Sequence, residues 1–410
     1  MKTRISAIVL LSSTLLTNAT ALAVAAVAKD TFAVHVPVGK DGEGAYTAAT
    51  KGCFDVISTA APLVLNQVSR QPIRARMPFH VADYGTADAG TSLGLLTQVV
   101  KEIRKREEEK QVVIHYEDQL TNEWKSVFNH ALGKKTVKDA YGKDVDTPYN
   151  LGNVFVEACG VGFHSQCYPN ESIDLGLSFT AMHWLSSSPS SLKGSDYMHA
   201  ARCPDGPPAA EKTQAETDWV NILQARSNEL SEGGVCVFVN FCVSEDGYFL
   251  GQTDTGASMW DSFQTSWDTL KEQGHINEEE RLGVSFPNYY RTTQEYIAGI
   301  EQIDGLRLIS AEEKVVPCPY REQYLKKKNG TDACDAMTPQ EYAKSFVPTT
   351  RTWSHSTFKA ALNNDKSEEE KERVMEQFWL NYEELVAQSP ESHGMDYVHS
   401  YLVVEKVSKA

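Results

Sequence analysis

The sequence is poor in positive charge. Its 410 residues include 39 Lys and Arg against 55 Asp and Glu, which gives a formal net charge of −16. A nucleic-acid-binding surface needs clustered Lys and Arg to contact phosphates, so nucleic acid is excluded as the main partner. The sequence also shows no internal repeat and is therefore not an array of similar units. An apolar content of 41% is enough for a large core, and the length predicts two to three structural units.

The eight cysteines lack the spacing of a metal or redox motif. No pair forms C-x-x-C and no Cys/His cluster has zinc-finger spacing, so no metal site is predicted. Cys159 and Cys236 lie in apolar runs, where a free cysteine acts as a small hydrophobic residue. Which cysteines pair, if any, stays open at this point.

Long apolar runs are absent after the first 28 residues. Within residues 1–28, Lys2 and Arg4 precede an apolar run, and Ala-x-Ala endings follow it. This pattern predicts a leader cleaved near Ala28 that directs the chain to the secretory pathway or an organelle. An uncleaved anchor is the alternative, and a cytoplasmic location follows if the leader is not used. Once the leader is removed, no stable membrane domain is expected.

The rest of the chain alternates strand and helix patterns. Short apolar runs begin at Phe79, Val112 and Val154, and segments with helical periodicity lie between these runs. This alternation predicts an α/β fold with a mainly parallel, Rossmann-like sheet and helices on both faces. We expect the core at residues 29–255 and 388–410. Residues 256–387 are mainly helical and are predicted to form a cap interleaved with core strands.

Two strand ends carry the first candidate site. The turn at residues 83–90, after the first predicted strand, has an acidic residue followed by small residues that bring backbone N–H groups close to a ligand. Glu117 and Asp118 follow the second strand, where an acid can accept hydrogen bonds from ribose hydroxyls. The turn is not a G-x-G-x-x-G motif, so a nucleotide-like ligand is only one interpretation, and an ordinary turn is the other.

A hydrolase motif lies beside that turn. Residues 90–94 spell G-x-S-x-G, in which Ser92 would be the nucleophile of an α/β-hydrolase. That motif needs its serine on the turn directly after a strand, whereas Ser92 lies nine residues past Asp83. We interpret Ser92 instead as a helix-start residue that satisfies free N–H groups.

His183 and Trp184 form the next candidate. Both residue types are commonly found in or at the edge of a core. Their ring N–H groups can also hold a carboxylate in a dry pocket.

Motifs along nearly the whole chain resemble the SABATH family of S-adenosylmethionine-dependent methyltransferases, the salicylate, benzoate, jasmonate and theobromine type. His183–Ser186 repeats the family's H-W-L-S unchanged, and Val81–Gly85 resembles its A-D-L-G. The other matching segments, in family order, are Gly42–Tyr46, Asn122–Phe128, Gly160–Pro169, Asp218–Gly234 and Phe286–Tyr290. Each match alone is weak, but the shared order makes the resemblance specific.

The resemblance implies a carboxyl methyltransferase that uses S-adenosyl-L-methionine and esterifies a small carboxylic acid. His183 and Trp184 would orient the acceptor. The residues implied at the cofactor are Tyr46, Thr50, Cys53, Asp83, Gly85, Asp118, Gln119, Gly162 and Phe163. The residues implied at the acceptor are Cys53, Thr180, His183, Trp184, Met259 and Trp260. A homodimer is left open.

Departures from the family pattern keep alternatives open. Cys53 replaces a glutamine that grips the cofactor and the acceptor, Thr180 replaces an aromatic residue, and Gly162 replaces a serine. These changes argue against salicylate and favour a more aliphatic or polar acid. The alternatives are methyl transfer to nitrogen or sulfur, a serine hydrolase through Ser92, and a non-catalytic binding protein on this scaffold.

Overall fold

The computed structural model describes residues 42–189, 191–254, 258–328 and 337–408. The predicted leader and Cys334 lie outside these residues. The fold is α/β, as the alternating pattern predicts. Its strands are β1 (Phe79–Tyr84), β2 (Val112–Glu117), β3 (Val137–Lys138), β4 (Asp144–Val145), β5 (Val154–Cys159), β6 (Ile173–Phe179), β7 (Leu230–Val243), β8 (Arg291–Thr292), β9 (Leu306–Val316) and β10 (Tyr397–Lys406).

The main sheet is mostly parallel. Its order is β5-β2-β1-β6-β7-β10-β9, with β8 paired to β7. The first five strands of this order run parallel, and β10 runs antiparallel to both β7 and β9. All six residues of β2 are buried, because helices cover both faces of a parallel sheet. The carboxyl ends of β1, β2, β5, β6 and β7 therefore meet at one edge, where such sheets bind ligands.

Helices cover the sheet and form a separate layer towards the C-terminal half. They are α1 (Ala45–Ala49), α2 (Lys51–Arg70), α3 (Leu93–Arg104), α4 (Trp124–Ala131), α5 (Ala209–Glu229), α6 (Met259–Glu272), α7 (Glu278–Leu282), α8 (Thr293–Glu301), α9 (Pro319–Lys328), α10 (Pro339–Ala360) and α11 (Glu368–Gln388). In the part of the chain that the structure describes, no helix is both long and apolar enough to span a bilayer.

Aromatic side chains join the helices of the predicted cap. Phe263 of α6, Phe358 of α10 and Phe378 of α11 are all fully buried. The ring centroids of Phe263 and Phe358 are 5.3 Å apart, and those of Phe358 and Phe378 are 4.4 Å apart. Such contacts stabilise beyond the area they bury. The division between core and cap stays a prediction, and strands β8 and β9 lie within the range assigned to the cap.

Some helices and strands differ from what sequence composition indicates. Residues 186–214 are rich in Ser, Pro, Gly and Ala, a composition typical of an exposed connection, but α5 already begins at Ala209. Its first turn follows Pro208, and proline is well suited to the start of a helix because it donates no N–H. Helix α2 and strand β9 were not predicted at all.

Candidate active site

The turn after β1 is built around a glycine in the left-handed region. Gly85 has φ +72°, and a Cβ there would lie 2.3 Å from Cβ of Ala181. The backbone N–H groups of Gly85 and Thr86 both donate to Glu117 O at 2.9 Å. Only glycine fits this turn without strain, and the turn is fastened to the end of β2. The predicted cofactor segments at β1 and β2 are therefore adjacent.

Asp83 is buried at the end of β1 and is held by two hydroxyl groups. Ser92 Oγ donates to Asp83 Oδ2 at 2.7 Å and Thr86 Oγ1 donates to the same oxygen at 2.9 Å. Burial raises the pKa of Asp83, and these hydrogen bonds partly oppose the rise.

The prediction for Ser92 is partly wrong. The residue does precede the first residue of α3, but its hydroxyl caps no N–H group of the helix. Ser92 Oγ donates instead to Asp83 and lies 3.2 Å from Ala89 O. A serine nucleophile needs its proton directed to a base such as histidine. Ser92 therefore serves as a hydrogen-bond donor to Asp83.

Asp118 follows β2 and faces the same turn. Its carboxylate accepts from the backbone N–H of Ala87 at 2.8 Å and of Gln119 at 2.8 Å. Burial raises the pKa of Asp118 to about 7, although these two N–H groups oppose the shift. A carboxylate has about four acceptor positions, so capacity remains for hydroxyl groups of a ligand. Gln119 is half-buried beside it.

Gly162 and Phe163 belong to the loop at residues 160–166, which follows β5. Arg226 of α5 donates to Phe163 O at 2.9 Å and to Ser165 O at 2.8 Å. The Phe163 ring lies 3.8 Å from the position of a Cβ on Gly85. A Cβ on Gly162 would meet no atom within 4 Å. The fully buried guanidinium of Arg226 thus fixes this loop beside the turn after β1.

The fold brings together Tyr46 of α1, Cys53 of α2, Thr50 between these helices and Thr180 after β6. The Cys53 thiol is in hydrogen-bonding contact with the side chains of the other three. Thr50 Oγ1 also donates to Tyr46 O at 2.7 Å. Burial raises the pKa of Cys53 to about 11, so the thiol is protonated at neutral pH. Thr180 has φ +57°, an uncommon conformation for a β-branched residue.

His183 and Trp184 are positioned by the segment that contains Asn288. Tyr289 N donates to His183 O at 2.9 Å, and Trp184 forms an isolated β-bridge with Asn288. His164 Nε2 lies 3.0 Å from Trp184 O. Both predicted acceptor residues are buried at the carboxyl edge of the sheet, directly after β6.

A continuous aromatic wall extends from His183 to the predicted pocket residue Trp260. The ring centroids of His183 and Tyr290 are 5.9 Å apart, those of Tyr290 and His199 4.4 Å, and those of His199 and Trp260 4.3 Å. Met259 is buried next to Trp260 at the start of α6. The structure thus brings His183, Trp184, Met259 and Trp260 to one side of the site.

The same wall includes residues that were not assigned from the sequence. Phe241 is 4.8 Å from His183 and 4.2 Å from His399 between ring centroids. Tyr290 lies inside the Phe286–Tyr290 motif, which implies no role for it, and the segments of His199, Tyr397 and His399 carry no motif. Polar atoms without a partner among the described residues are Tyr290 OH, Tyr397 OH, His199 Nε2, Trp260 Nε1 and both ring nitrogens of His399.

Burial keeps two histidines of this wall, His199 and His399, neutral. It lowers the pKa of His199 and of His399 to about 3, because charging an imidazole inside the protein removes it from water. Among the described residues, no group of three or more His, Cys, Asp or Glu side chains is arranged to hold a metal ion.

Comparison with known proteins adds an independent finding. Residues 33–407 match the model of the SAM-dependent carboxyl methyltransferases. A 3,7-dimethylxanthine N-methyltransferase of Coffea arabica is 26% identical over 334 residues, covering 75% of this chain and 83% of that protein. Gibberellic acid methyltransferase 1 of Arabidopsis thaliana is 22% identical over 303 residues, covering 68% of this chain and 76% of that protein.

A solved structure agrees in fold. Loganic acid methyltransferase with SAH has a TM-score of 0.68 and 16% sequence identity, covering 91% of this chain and 99% of that chain.

Proposed function

The chain belongs to the family of SAM-dependent carboxyl methyltransferases, and from this premise we propose how its residues act on a small organic acid. The enzyme uses S-adenosyl-L-methionine as methyl donor and esterifies a carboxylate, leaving S-adenosylhomocysteine. The observation that carries this proposal is the contrast between the acidic turn beside β1 and β2 and the buried aromatic wall that extends from His183 to Trp260.

The residues at the carboxyl edge fit the cofactor. Gly85 lets the turn pack against Ala181, where a Cβ would clash, and its positive φ directs backbone N–H groups around the end of β1. Asp118 keeps acceptor capacity for the ribose hydroxyls, and Gly162 leaves open space beside Phe163 for a flat base. When bound, S-adenosyl-L-methionine supplies an electrophilic methyl group on a sulfonium ion.

The acceptor wall favours an acceptor that is already a nucleophile. A carboxylic acid is ionised at neutral pH and needs no base, whereas a nitrogen acceptor that carries a proton must lose it. The pKa of about 3 of His199 and His399 makes both imidazoles weak bases at neutral pH. We therefore favour carboxylate over nitrogen, even though one relative is by name an N-methyltransferase.

His183 and Trp184 orient the acid. Their backbone is fixed to the segment at Asn288, so the rings need little reorganisation on binding. Ring N–H groups of these residues donate to the acceptor carboxylate, and the buried wall excludes water. Methyl transfer cancels opposite charges, so a dry site favours it, and the main task of the enzyme is alignment.

The acceptor is a more aliphatic or polar acid than salicylate. Cys53 is a protonated thiol where the family has a glutamine, which weakens one carboxylate contact. Thr180 removes an aromatic wall on that side. Hydrogen-bonding atoms along the wall, such as Tyr290 OH and His199 Nε2, suit an acid with polar groups away from its carboxylate.

The test is a screen of small carboxylic acids with S-adenosyl-L-methionine labelled in its methyl group. We expect a labelled product that releases methanol in mild alkali, because an ester hydrolyses and an N-methyl group does not. A product stable to alkali would contradict carboxyl transfer. Cofactor binding by calorimetry without turnover on any acid would support a binding protein instead.

We also propose that residues 1–28 act as a cleaved leader for the secretory pathway or an organelle. The support is the charged start, apolar run and Ala-x-Ala endings of the sequence. Cell fractionation with N-terminal sequencing of the purified protein tests it, and an intact Met1 in the cytoplasm would contradict it. Light scattering on the same sample tests for a homodimer.

A further inference from the structure

Two cysteines lie in contact beside the predicted adenine loop. Cys159 is the last residue of β5, and Cys167 follows the loop of residues 160–166. Their thiols are in hydrogen-bonding contact with each other. Cys159 Sγ also lies 3.6 Å from Cys167 O. Both residues are half-buried, and the described cysteines are free thiols.

The surroundings of this pair favour a thiolate on Cys159 and raise the pKa of Cys167, whose thiol donates to it. Hydrogen bonds from the Cys167 thiol and the Val161 backbone N–H lower the pKa of Cys159 to about 6, against the effect of burial. The guanidinium of Arg226, with Nη2 3.7 Å from Cys167 Sγ, adds positive charge, which the carboxylate of Glu229 opposes. Thiolates next to a cation and partly open to solvent are the reactive ones in proteins.

The fully enclosed cysteines have the opposite environment. Cys236 and Cys318 are almost completely buried, and burial raises the pKa of Cys236 to about 12 and of Cys318 to about 11. Such thiols remain protonated and inaccessible, so they do not react. Reactivity is therefore expected at Cys159 rather than at the cysteines of the core.

We propose that Cys159 and Cys167 close to an intramolecular disulfide in an oxidising environment and staple the loop of residues 160–166. The oxidant is a low-molecular-weight disulfide of the glutathione type. The Cys159 thiolate attacks one of its sulfurs, forms a mixed disulfide and releases one thiol. Cys167 then attacks Cys159 sulfur and releases the second thiol, so two protein thiols are oxidised by two electrons and the oxidant becomes two thiols.

The staple acts on the cofactor side of the site. The closed loop carries Gly162 and Phe163, and Phe163 lies against the turn at Gly85. Glu229 accepts from Cys167 N and pairs with Arg226 at 2.8 Å, so the far end of the loop is already fixed. The near end at Cys159 is held in β5, so a disulfide would join the two ends of the loop covalently. The proposal goes beyond methyl transfer, and disulfides form in the compartment that a secretory leader implies.

The test needs no activity measurement. Purified full-length protein is equilibrated with glutathione disulfide or with a reducing agent, alkylated, digested and analysed by mass spectrometry. We expect a Cys159–Cys167 crosslink in the oxidised sample and two alkylated cysteines in the reduced one. Alkylation of both residues after oxidation, or glutathione retained on Cys159 without ring closure, would overturn the proposal.

Serine variants provide the control. Cys167→Ser should accumulate the mixed disulfide on Cys159, and Cys203→Ser, which changes another half-buried cysteine outside the loop, should form the crosslink as the parent does. In the parent protein, oxidation should raise the thermal midpoint by about 2–5 °C, because the crosslink restricts the unfolded chain. Neither serine variant should alter the midpoint of the reduced protein by a comparable amount. An oxidised parent with an unchanged or lower midpoint would contradict the staple.

Discussion

The proposed cofactor side and the proposed acceptor side of this site are built by different means. On the proposed cofactor side, backbone N–H groups and two carboxylates meet at adjacent strand ends, as at Gly85 and Asp118. On the acceptor side, rings from separate segments, such as His199, Tyr290 and His399, form one wall. The first arrangement follows from the sheet itself, whereas the second depends on how distant loops and cap helices pack.

This difference explains which parts were predictable. Asp83 and Asp118 end consecutive strands of a parallel sheet, so strand periodicity alone places them at one edge. The mutual position of Tyr290 and His199 depends on contacts between residues far apart in sequence, which no local pattern encodes. The ring N–H groups of His183 and Trp184 made them candidates from the sequence, and the resemblance of their motif to a family then implied that they orient the acceptor.

The largest expected effect is on the cofactor side. Asp118→Ala removes the acceptor proposed for the ribose hydroxyls and should weaken S-adenosylhomocysteine binding by about 30–150-fold, since a hydrogen bond to a charged group contributes roughly 2–3 kcal/mol. Calorimetry with S-adenosylhomocysteine measures this. Glu123→Ala is the matched control, because Glu123 is another acid between β2 and α4. Its affinity for S-adenosylhomocysteine should stay within about threefold of that of the parent. Equal losses in both variants would show that the cofactor side is not organised around Asp118.

The next effect is the pH dependence of that same interaction. The pKa of Asp118 is raised to about 7, and only its carboxylate form accepts hydroxyl hydrogen bonds on both oxygens. Affinity for S-adenosylhomocysteine should therefore rise as pH increases through 7 and should fall by up to about tenfold per pH unit below it. Calorimetry from pH 5 to 8 measures the slope. In Asp118→Asn the dependence should disappear, and a slope that survives in this variant would assign the titration to another group.

A smaller effect is expected on the acceptor side. Trp184→Phe keeps a ring in the wall but removes the indole N–H, and kcat/KM for the preferred acid should fall about tenfold, corresponding to about 1.4 kcal/mol. Binding of S-adenosylhomocysteine should be unchanged, because Trp184 belongs to the other side. Steady-state kinetics and calorimetry on the same preparation separate the two results. If cofactor affinity falls together with kcat/KM, the two sides are coupled and the comparison fails.

The smallest effect on methyl transfer is expected at Ser92, where a hydrolase would show the largest. Ser92→Ala should retain transfer within about threefold and lower stability by about 1–2 kcal/mol, because a buried carboxylate loses one donor. The Ser92 hydroxyl stabilises the charged form of Asp83, so the loss should be greatest at neutral pH and should shrink as Asp83 is protonated in acid. Urea unfolding at pH 7 and pH 4.5 measures it, with Thr91→Ala as the neighbouring control. A destabilisation independent of pH would show that Ser92 contributes by packing. A transfer rate reduced 100-fold or more would show that Ser92 contacts the reacting atoms.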